Sequence, residues 1–222
     1  MKPISGLIVR GLDFASFVYS RKTGGTWRIS GSTSVFYCSF VGFVAQNLDE
    51  LFDVVDDQDR VTGQAARRDV HARGWRHRAV HLLVVNEAGQ VFLQKRSMTK
   101  DLFPGIWDSS AAGHVGAGED YDGTALRELE EELGLKLPQE RGVASLRPQI
   151  QPLFKIEARA ETGQEFVWVY RVESEGPFTL QVDEIECGDW FSPAEIERWI
   201  AERPQELAPA FLYLWPKARG LL

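Results

Sequence analysis

Residues 47–222 alternate between short apolar runs and polar turns, a pattern that predicts strands and helices in mixed order. Apolar runs at 80–85 and 91–96 flank a polar turn at 86–89 that ends in glycine, so the two runs are predicted to form a β-hairpin. Further strands are predicted at 52–55, 143–154, 166–172 and 185–191, and further helices from Ser192 and from about Gln205.

The segment between the hairpin and the later strands predicts a central amphipathic helix. Leu126, Leu129 and Leu133 recur at helical spacing and form an apolar stripe. Asp120 or Asp122 is suited to cap the start of this helix. Strands on both sides of one central helix predict the α/β class, with a mixed β-sheet in an α/β/α sandwich.

The central helix also carries a dense cluster of acids. Glu128, Glu131 and Glu132 lie within one arc of the helix, so we expect them to project together, away from the core. Like charges at these spacings oppose helix formation by roughly 0.2–0.5 kcal/mol per pair. The cluster therefore predicts a cation that neutralises it, and an oxygen-preferring ion such as Mg²⁺ or Mn²⁺ is the natural candidate.

Residues 113–135 match the pattern G-x5-E-x7-R-E-U-x-E-E-x-G-U, where U is aliphatic, at every fixed position. The matching residues are Gly113, Glu119, Arg127, Glu128, Leu129, Glu131, Glu132, Gly134 and Leu135. This pattern is the Nudix box, and the chain resembles the Nudix hydrolases, which cleave a diphosphate linked to another group X. The resemblance implies a Nudix-type sandwich fold and a small-molecule diphosphate as substrate.

The same resemblance implies roles for individual side chains. Glu128 and Glu132 would bind the metal, together with the Gly113 carbonyl, while Arg127 would orient the acids and Glu119 would be structural. Glu131 would bind metal or activate the attacking water. The general base is expected to be Glu131, Glu165 or Glu184, and the substrate phosphates are expected to contact Arg78, Lys95, Arg96 and Lys100.

Sequence outside the box resembles the branch that includes isopentenyl-diphosphate isomerase and its hydrolase relatives. Three histidines and two glutamates hold a metal in that isomerase, and His71, His77, His114 and Glu165 match this set. A second metal site and a phosphate site are both compatible with the three histidines. Ala112 stands where the isomerase has its catalytic cysteine, and a methyl group is neither acid nor base, so hydrolysis is predicted over isomerisation. His81 is interpreted as a structural hydrogen-bonding residue.

Composition narrows the function classes further. The chain has 222 residues and a net charge of −7, so nucleic acid is not the expected partner. Its two cysteines make no disulfide framework, and the apolar run at 35–45 is too short to span a membrane. A non-catalytic nucleotide-binding module remains an alternative, as does a homodimer. The identity of X stays open among nucleoside diphosphate derivatives, nucleotide sugars, dinucleoside polyphosphates and isoprenoid diphosphates.

Residues 1–46 differ in amino-acid composition from the rest of the chain. They contain five basic residues and one acidic residue, and they are rich in Ser, Thr and Gly. We interpret them as an N-terminal extension, separate from a hydrolase domain at 47–222. Three alternatives stay open: a non-native extension without a fold, an organelle-targeting segment, and a small extra structural element. The expected compartment is the cytoplasm, or an organelle if the extension is a targeting segment.

Overall fold

The computed structural model describes residues 47–137 and 150–222, together with the backbone of three earlier strands. These strands, β1 (Ser20–Arg21), β2 (Thr26–Gly31) and β3 (Ser34–Ser39), pair in antiparallel order β1-β2-β3. They belong to a first compact unit, Met1–Gly42, and a second unit spans Phe43–Leu222. Most of residues 1–46 lie outside the described ranges, so the three alternatives for that segment stay predictions.

The second unit contains all the predicted site residues. Its strands are β4 (Leu51–Val55), β5 (Val61–Ala66), β6 (His77–Val85), β7 (Val91–Arg96), β8 (Trp107–Asp108), β9 (Ala111–His114), β10 (Ile150–Ile156), β11 (Glu165–Glu173) and β12 (Ile185–Phe191). Its helices are α1 (Arg67–Arg73), α2 (Tyr121–Leu133), α3 (Pro193–Glu202) and α4 (Pro209–Ala218), with short 3₁₀ turns at Ala160–Thr162 and Pro204–Glu206.

The main sheet is mixed and opens in its middle. Its order is β10-β11-β6-β7-β12, with β11 parallel to β6 and the other neighbours antiparallel. The predicted hairpin is confirmed, but β6 and β7 pair only at Val84–Phe92 and Val85–Val91. Beyond those pairs the two strands diverge, and β9 pairs with β6 while β8 pairs with β7. This divergence opens one end of the sheet.

Alternation along β6 builds the two sides of the core. Val80, Leu82 and Val84 pack against Ala125, Leu129 and Leu133 of α2, and Leu83 and Val85 pack against Ile196 of α3 and Phe211 and Trp215 of α4. Side chains of successive strand residues point to opposite faces, so one apolar strand serves two layers. The predicted α/β/α sandwich around a mixed sheet is confirmed.

The orientation predicted for the acids of α2 is wrong. Glu128 and Glu132 do not project away from the core, because they share the buried face of the helix with Leu129 and Leu133. Glu131 alone of the three is exposed. The two buried acids can sit inward because the open end of the sheet lies beneath them, as described below.

The other local predictions have mixed outcomes. Asp120 caps α2 by accepting from the Gly123 N–H, and Ser192 caps α3 as expected. The last helix begins at Pro209, after a 3₁₀ turn and the extended residue Leu207, instead of near Gln205. The strand predicted at 143–154 falls partly outside the described residues. Within the described residues, no helix is long and apolar enough to cross a membrane.

Candidate active site

The open end of the main sheet forms a cleft of about 870 Å³. Acids of α2 line the cleft, together with β9 and Lys100. The lining also includes His81, Asp108, the turn at 160–163 and residues 208–210 at the start of α4. A cavity of this size accommodates a small phosphorylated molecule.

The carboxylate cluster, defined as Glu128, Glu131, Glu132 and Glu184, lines this cleft. Glu128 is 8% exposed and Glu132 is 3% exposed. Burial raises the pKa of both carboxyl groups, and the nearby Glu128 charge raises the pKa of Glu132 further. Two buried acids that resist ionisation together form a site that a divalent cation would stabilise.

Hydrogen bonds fix the deeper acid of this pair. One carboxylate oxygen of Glu132, Oε2, accepts from the Ala112 backbone N–H at 3.1 Å and from Gln94 Nε2 at 3.0 Å. β9 therefore holds the helix acid against the sheet. Glu132 also lines the cleft, so its carboxylate is available to a cation bound there.

Gly113 is required by a close approach to Glu128. A Cβ atom at this position would lie 1.9 Å from Glu128 Oε1 and 2.1 Å from its Cδ. Any other residue would displace the Glu128 carboxylate or the strand. The glycine therefore brings the β9 backbone into contact with an acid predicted to bind metal.

Arg127 ties the acids to the loop before the helix. Its Nη1 donates to Glu128 Oε1 at 2.8 Å and to Glu131 Oε2 at 2.9 Å. Its Nη2 donates to Glu119 Oε2 at 3.1 Å and to the His114 carbonyl at 3.2 Å. The same Glu119 oxygen accepts from the Gly116 N–H at 3.0 Å, so Glu119 braces the loop. Arg127 thus orients the acids of the cluster and offsets part of their negative charge.

The four predicted phosphate contacts fall into two groups. Lys100 and Arg96 line the cleft; Lys100 is nearly buried and pairs with Glu184, and Arg96 donates to the Leu102 carbonyl at 3.0 and 3.2 Å. Arg78 and Lys95 do not line it. Arg78 Nε donates to Asp59 Oδ1 at 2.6 Å, and Lys95 Nζ pairs with Glu186 Oε1 at 2.9 Å on the surface.

The sequence did not indicate Arg67 as a cationic residue of the cleft. Arg67 is buried, lines the cleft, and donates from Nη1 to His114 Nδ1 at 3.0 Å. It lies four residues before His71 on α1. That spacing places the two side chains on one helix face, which is the signal that identifies Arg67.

The histidine cluster, defined as His71, His77, His114 and Glu165, lies beside the carboxylate cluster. Its four residues come from α1, β6, β9 and β11, and each offers a ligand atom within 4.8 Å of the others. The Phe52 ring stacks on His114 and His77, with centroids 4.7 and 5.6 Å apart. The structure therefore brings together the matching residues noted in the sequence.

Hydrogen bonds indicate where the protons of this cluster lie. His77 Nδ1 is 2.9 Å from the Trp75 carbonyl, which only accepts, so Nδ1 carries a proton, and His77 Nε2 lies 3.4 Å from Glu165 Oε1. Among the described residues, the buried Nε2 atoms of His77 and His71 have no hydrogen-bond partner. Arg67 only donates, so His114 accepts at Nδ1 and carries its proton on Nε2, 3.0 Å from Glu165 Oε1.

Charge in the histidine cluster follows from this arrangement. Burial lowers the pKa of His114 and of His71, so both rings are neutral at pH 7. Burial alone would raise the pKa of Glu165, but the contacts from His114 and His77 hold it well below its ordinary value. The cluster thus combines one ionised carboxylate with unpartnered ring nitrogens, a donor set that suits a divalent cation.

Comparison with known proteins agrees with the geometry. The NUDIX domain family model matches residues 75–211. The chain is 42% identical over 174 residues to an uncharacterized Nudix hydrolase of Streptomyces coelicolor, covering 78% of this chain and 90% of that one. An uncharacterized Nudix hydrolase of Escherichia coli K12 is 34% identical over 177 residues, covering 76% and 87%. A crystal structure from Deinococcus radiodurans superposes with a TM-score of 0.65 at 28% identity, covering 76% and 98%.

Proposed function

The chain belongs to the Nudix hydrolase family, and from that premise we propose that it hydrolyses a phosphoanhydride bond in a small diphosphate linked to a further group X. Enzymes of this family act on acid anhydrides of phosphorus and depend on divalent metal. The observation that carries the proposal is the buried pair Glu128 and Glu132, which faces a cleft also lined by cations.

The residues present fit Mg²⁺ or Mn²⁺. The three acids of α2 and the Gly113 carbonyl offer only oxygen donors, and because burial raises the pKa of Glu128 and Glu132, a bound cation would favour their ionised forms. Glu128, Glu132 and the Gly113 carbonyl would hold the ion, with Glu131 at its exposed side. When bound, the ion supplies positive charge that offsets charge on the diphosphate and lowers the pKa of water.

The protein groups then divide the remaining work. Lys100 and Arg96 are positioned to bind phosphate oxygens, while Arg127 holds the acids in place. The base removes a proton from water as the water oxygen attacks phosphorus, and the bond to the leaving phosphate breaks with its electron pair. The phosphate-binding residues offset the charge that this step places on the leaving oxygen.

Among the three candidate bases, we favour Glu131. It is exposed to the cleft and is held at one oxygen by Arg127, so its other oxygen can reach water. Glu165 is a weaker base, because His114 and His77 keep its pKa low. Glu184 is engaged by Lys100. Glu165 therefore fits a role in the histidine cluster, and Glu184 fits a role in positioning Lys100.

We propose that the histidine cluster holds a second divalent ion. Neutral rings and one ionised carboxylate attract a cation and do not favour a phosphate anion. His71 Nε2, His77 Nε2 and Glu165 would bind the ion, and His114, which accepts from Arg67 at Nδ1, would hold Glu165 in place through its Nε2–H. Imidazole ligands favour ions such as Mn²⁺, Fe²⁺ or Zn²⁺ over Mg²⁺ at this site.

Two alternatives to hydrolysis are isomerisation of an isopentenyl substrate and binding without catalysis. Ala112 offers no proton to an isopentenyl substrate, which disfavours isomerisation. A pure binding module would not need every acid of the box, and all of them are present. The negative charge of the chain likewise gives no reason to expect nucleic acid as substrate.

The test is a panel of diphosphates, including ADP-ribose, UDP-glucose, diadenosine tetraphosphate and isopentenyl diphosphate, each incubated with Mg²⁺ or Mn²⁺. We expect metal-dependent release of a phosphorylated product, with oxygen-18 from water on one phosphate. Glu131→Gln should abolish this release. Turnover without added metal, or dimethylallyl diphosphate as the product from isopentenyl diphosphate, would contradict the proposal.

A further inference from the structure

Residues 97–106 connect β7 to β8 and form part of the wall of the cleft. Lys100, Leu102 and Phe103 of this connection line the cleft, whereas Asp101 is not part of the lining within the described residues. Any effect of the Asp101 carboxylate on a ligand in the cleft must therefore pass through another side chain.

Two ion pairs tie this connection to other elements. Lys100 pairs with Glu184, just ahead of β12, and Asp101 pairs with Arg67 of α1. Arg67 Nη2 lies 3.4 Å from each carboxylate oxygen of Asp101. Arg67 lines the cleft, so it is the side chain through which Asp101 can act on a ligand.

Arg67 is a largely desolvated cation in the cleft wall. Its side chain is 7% exposed, and its Nη1 donates to His114 Nδ1 at 3.0 Å. A guanidinium group binds phosphate oxygens through short, charge-assisted hydrogen bonds, and little hydration has to be removed when the group is already buried. Arg67 therefore joins Lys100 and Arg96 as a cation that a diphosphate in the cleft can contact.

The contact between Asp101 and Arg67 is weak enough to be exchanged. Charge-assisted N–H···O bonds are ordinarily about 2.7–2.9 Å long, and the 3.4 Å contacts of this pair are longer. The Asp101 side chain is 31% exposed, so water can solvate the carboxylate once it leaves Arg67. A phosphate oxygen can therefore take the place of Asp101 at Nη2.

We propose that Asp101 and the substrate phosphates compete for Arg67, so that Asp101 lowers the affinity of the cleft for diphosphates. Without ligand, Arg67 pairs with Asp101; with ligand, Arg67 contacts phosphate and Asp101 turns to solvent. The proposal rests on the proposed function, because it takes the ligand to be a diphosphate. A purely structural Asp101 would brace the cleft wall, and its loss would weaken binding. Competition predicts the opposite sign.

The test measures the affinity of the full-length protein for methylenediphosphonate, a diphosphate analogue that water does not cleave, by calorimetry with Mg²⁺. Asp101→Asn removes the competing charge, and Asp101→Glu keeps it. Glu161→Gln is the matched control, because it removes one acid that lines the cleft. Asp101→Asn is also combined with Arg67→Gln, which removes the cation for which the two anions compete. Thermal melts show whether each variant is folded.

If Asp101 holds Arg67 in about two thirds of the molecules, its loss raises the affinity about threefold. We expect Asp101→Asn to bind about threefold or more tightly than the wild type, and Asp101→Glu and Glu161→Gln to stay within about twofold of it. Arg67→Gln should bind more weakly, and adding Asp101→Asn to it should give no further gain.

Three results would overturn the proposal: unchanged, weaker or absent binding by Asp101→Asn, an equal gain in Glu161→Gln, or the same gain in the Arg67→Gln background. The last two would show that Asp101 acts through the general charge of the cleft. If Arg67→Gln does not fold, the comparison with Glu161→Gln decides. Tighter binding by Asp101→Asn without hydrolysis of any diphosphate would refute only the hydrolase function.

Discussion

The carboxylate cluster and the histidine cluster lie in one region yet differ in charge. In the first, Glu128 and Glu132 are buried side by side, and burial raises the pKa of each. In the second, burial alone would raise the pKa of Glu165, but its contacts with His114 and His77 hold that pKa well below its ordinary value. The histidine cluster therefore already stabilises its one carboxylate in the ionised form, whereas the two buried acids of the carboxylate cluster need a cation to ionise together. Metal should consequently matter more to activity and stability at the carboxylates.

The largest expected effect is that of Glu132→Gln. Glutamine keeps the shape and can still accept from Ala112 and Gln94, but it removes the charge that binds metal. We expect kcat to fall about 100-fold or more. Without metal at pH 8 the variant should melt above the wild type, because a carboxyl group with a raised pKa loses stabilisation as pH rises through that pKa.

A matched control for this variant is available on the same helix. Glu130→Gln removes an exposed acid whose partner, Lys136, lies on the surface. It should change kcat less than twofold, and Mg²⁺ should still raise its melting temperature. Near-normal activity in Glu132→Gln would show that the carboxylate cluster does not need its charge for activity, contrary to the difference stated between the two clusters.

Gly113→Ala should have the next largest effect. The added methyl group would overlap Glu128, so the carboxylate must move. We expect activity to fall at least tenfold and stability to fall by about 1–3 kcal/mol, the usual result of overpacking. Gly63→Ala, on an edge strand with nothing within 4 Å of the new Cβ, should change neither. Normal Mg²⁺ affinity in Gly113→Ala would show that Glu128 is not a ligand.

A smaller effect is expected at the histidine cluster. His77→Ala removes one unpartnered nitrogen, so titration with Mn²⁺ should show one tight site fewer per chain than in the wild type. Activity with Mg²⁺ should fall less than in Glu132→Gln. If both variants lose activity equally, the two clusters act as one centre and the distinction between them fails.

The smallest effect is expected at Asp59, a carboxylate whose charge is already paired with cations of the protein. Asp59 accepts from Arg78 and Tyr121 and pairs with Lys155. Burial opposes its ionisation, but these partners lower its pKa. Asp59→Asn should cost about 1 kcal/mol at pH 7. A lowered pKa stabilises above the unfolded value of about 4, so this cost should shrink as pH falls through the folded pKa.

Asp59→Asn isolates charge because asparagine tolerates the left-handed backbone there, with φ of 60°. Urea unfolding at pH 7 and pH 3, with and without Mg²⁺, measures the effect. The Asp59 contribution should not depend on Mg²⁺ and should have the opposite pH dependence to that of Glu132. A cost that is the same at both pH values would mean that Asp59 acts through shape and not through charge.

The same contrast explains what could be predicted from the sequence. Three members of the carboxylate cluster, Glu128, Glu131 and Glu132, lie close together on helix α2, so spacing alone indicated them. The inward orientation of Glu128 and Glu132 could not be predicted, because it depends on the gap left where β6 and β7 diverge. Apolar runs separated by turn residues predicted the hairpin and the sandwich.

Features that depend on distant pairing were harder to predict. Without the family resemblance, nothing local would join residues of α1, β6, β9 and β11 into the histidine cluster. Strand β5 is largely exposed, so it shows no alternation of apolar and polar residues. Helix α1 is short, with Val70 as its buried apolar residue, so it shows no helical hydrophobic period. The surface pairing of Lys95 with Glu186 likewise depends on the later strand β12.

The parallel pairing of β11 with β6 has a consequence for the order of folding. It places Glu165 opposite His77, two residues far apart in the chain, so the histidine cluster forms only when this slow, long-range contact closes. Helix α2 needs local contacts alone and can form earlier. Interactions that form only after the folding transition state mainly slow unfolding and change the folding rate little. An ion bound by the histidines should therefore lengthen the lifetime of the native state more than it shortens the time to reach it.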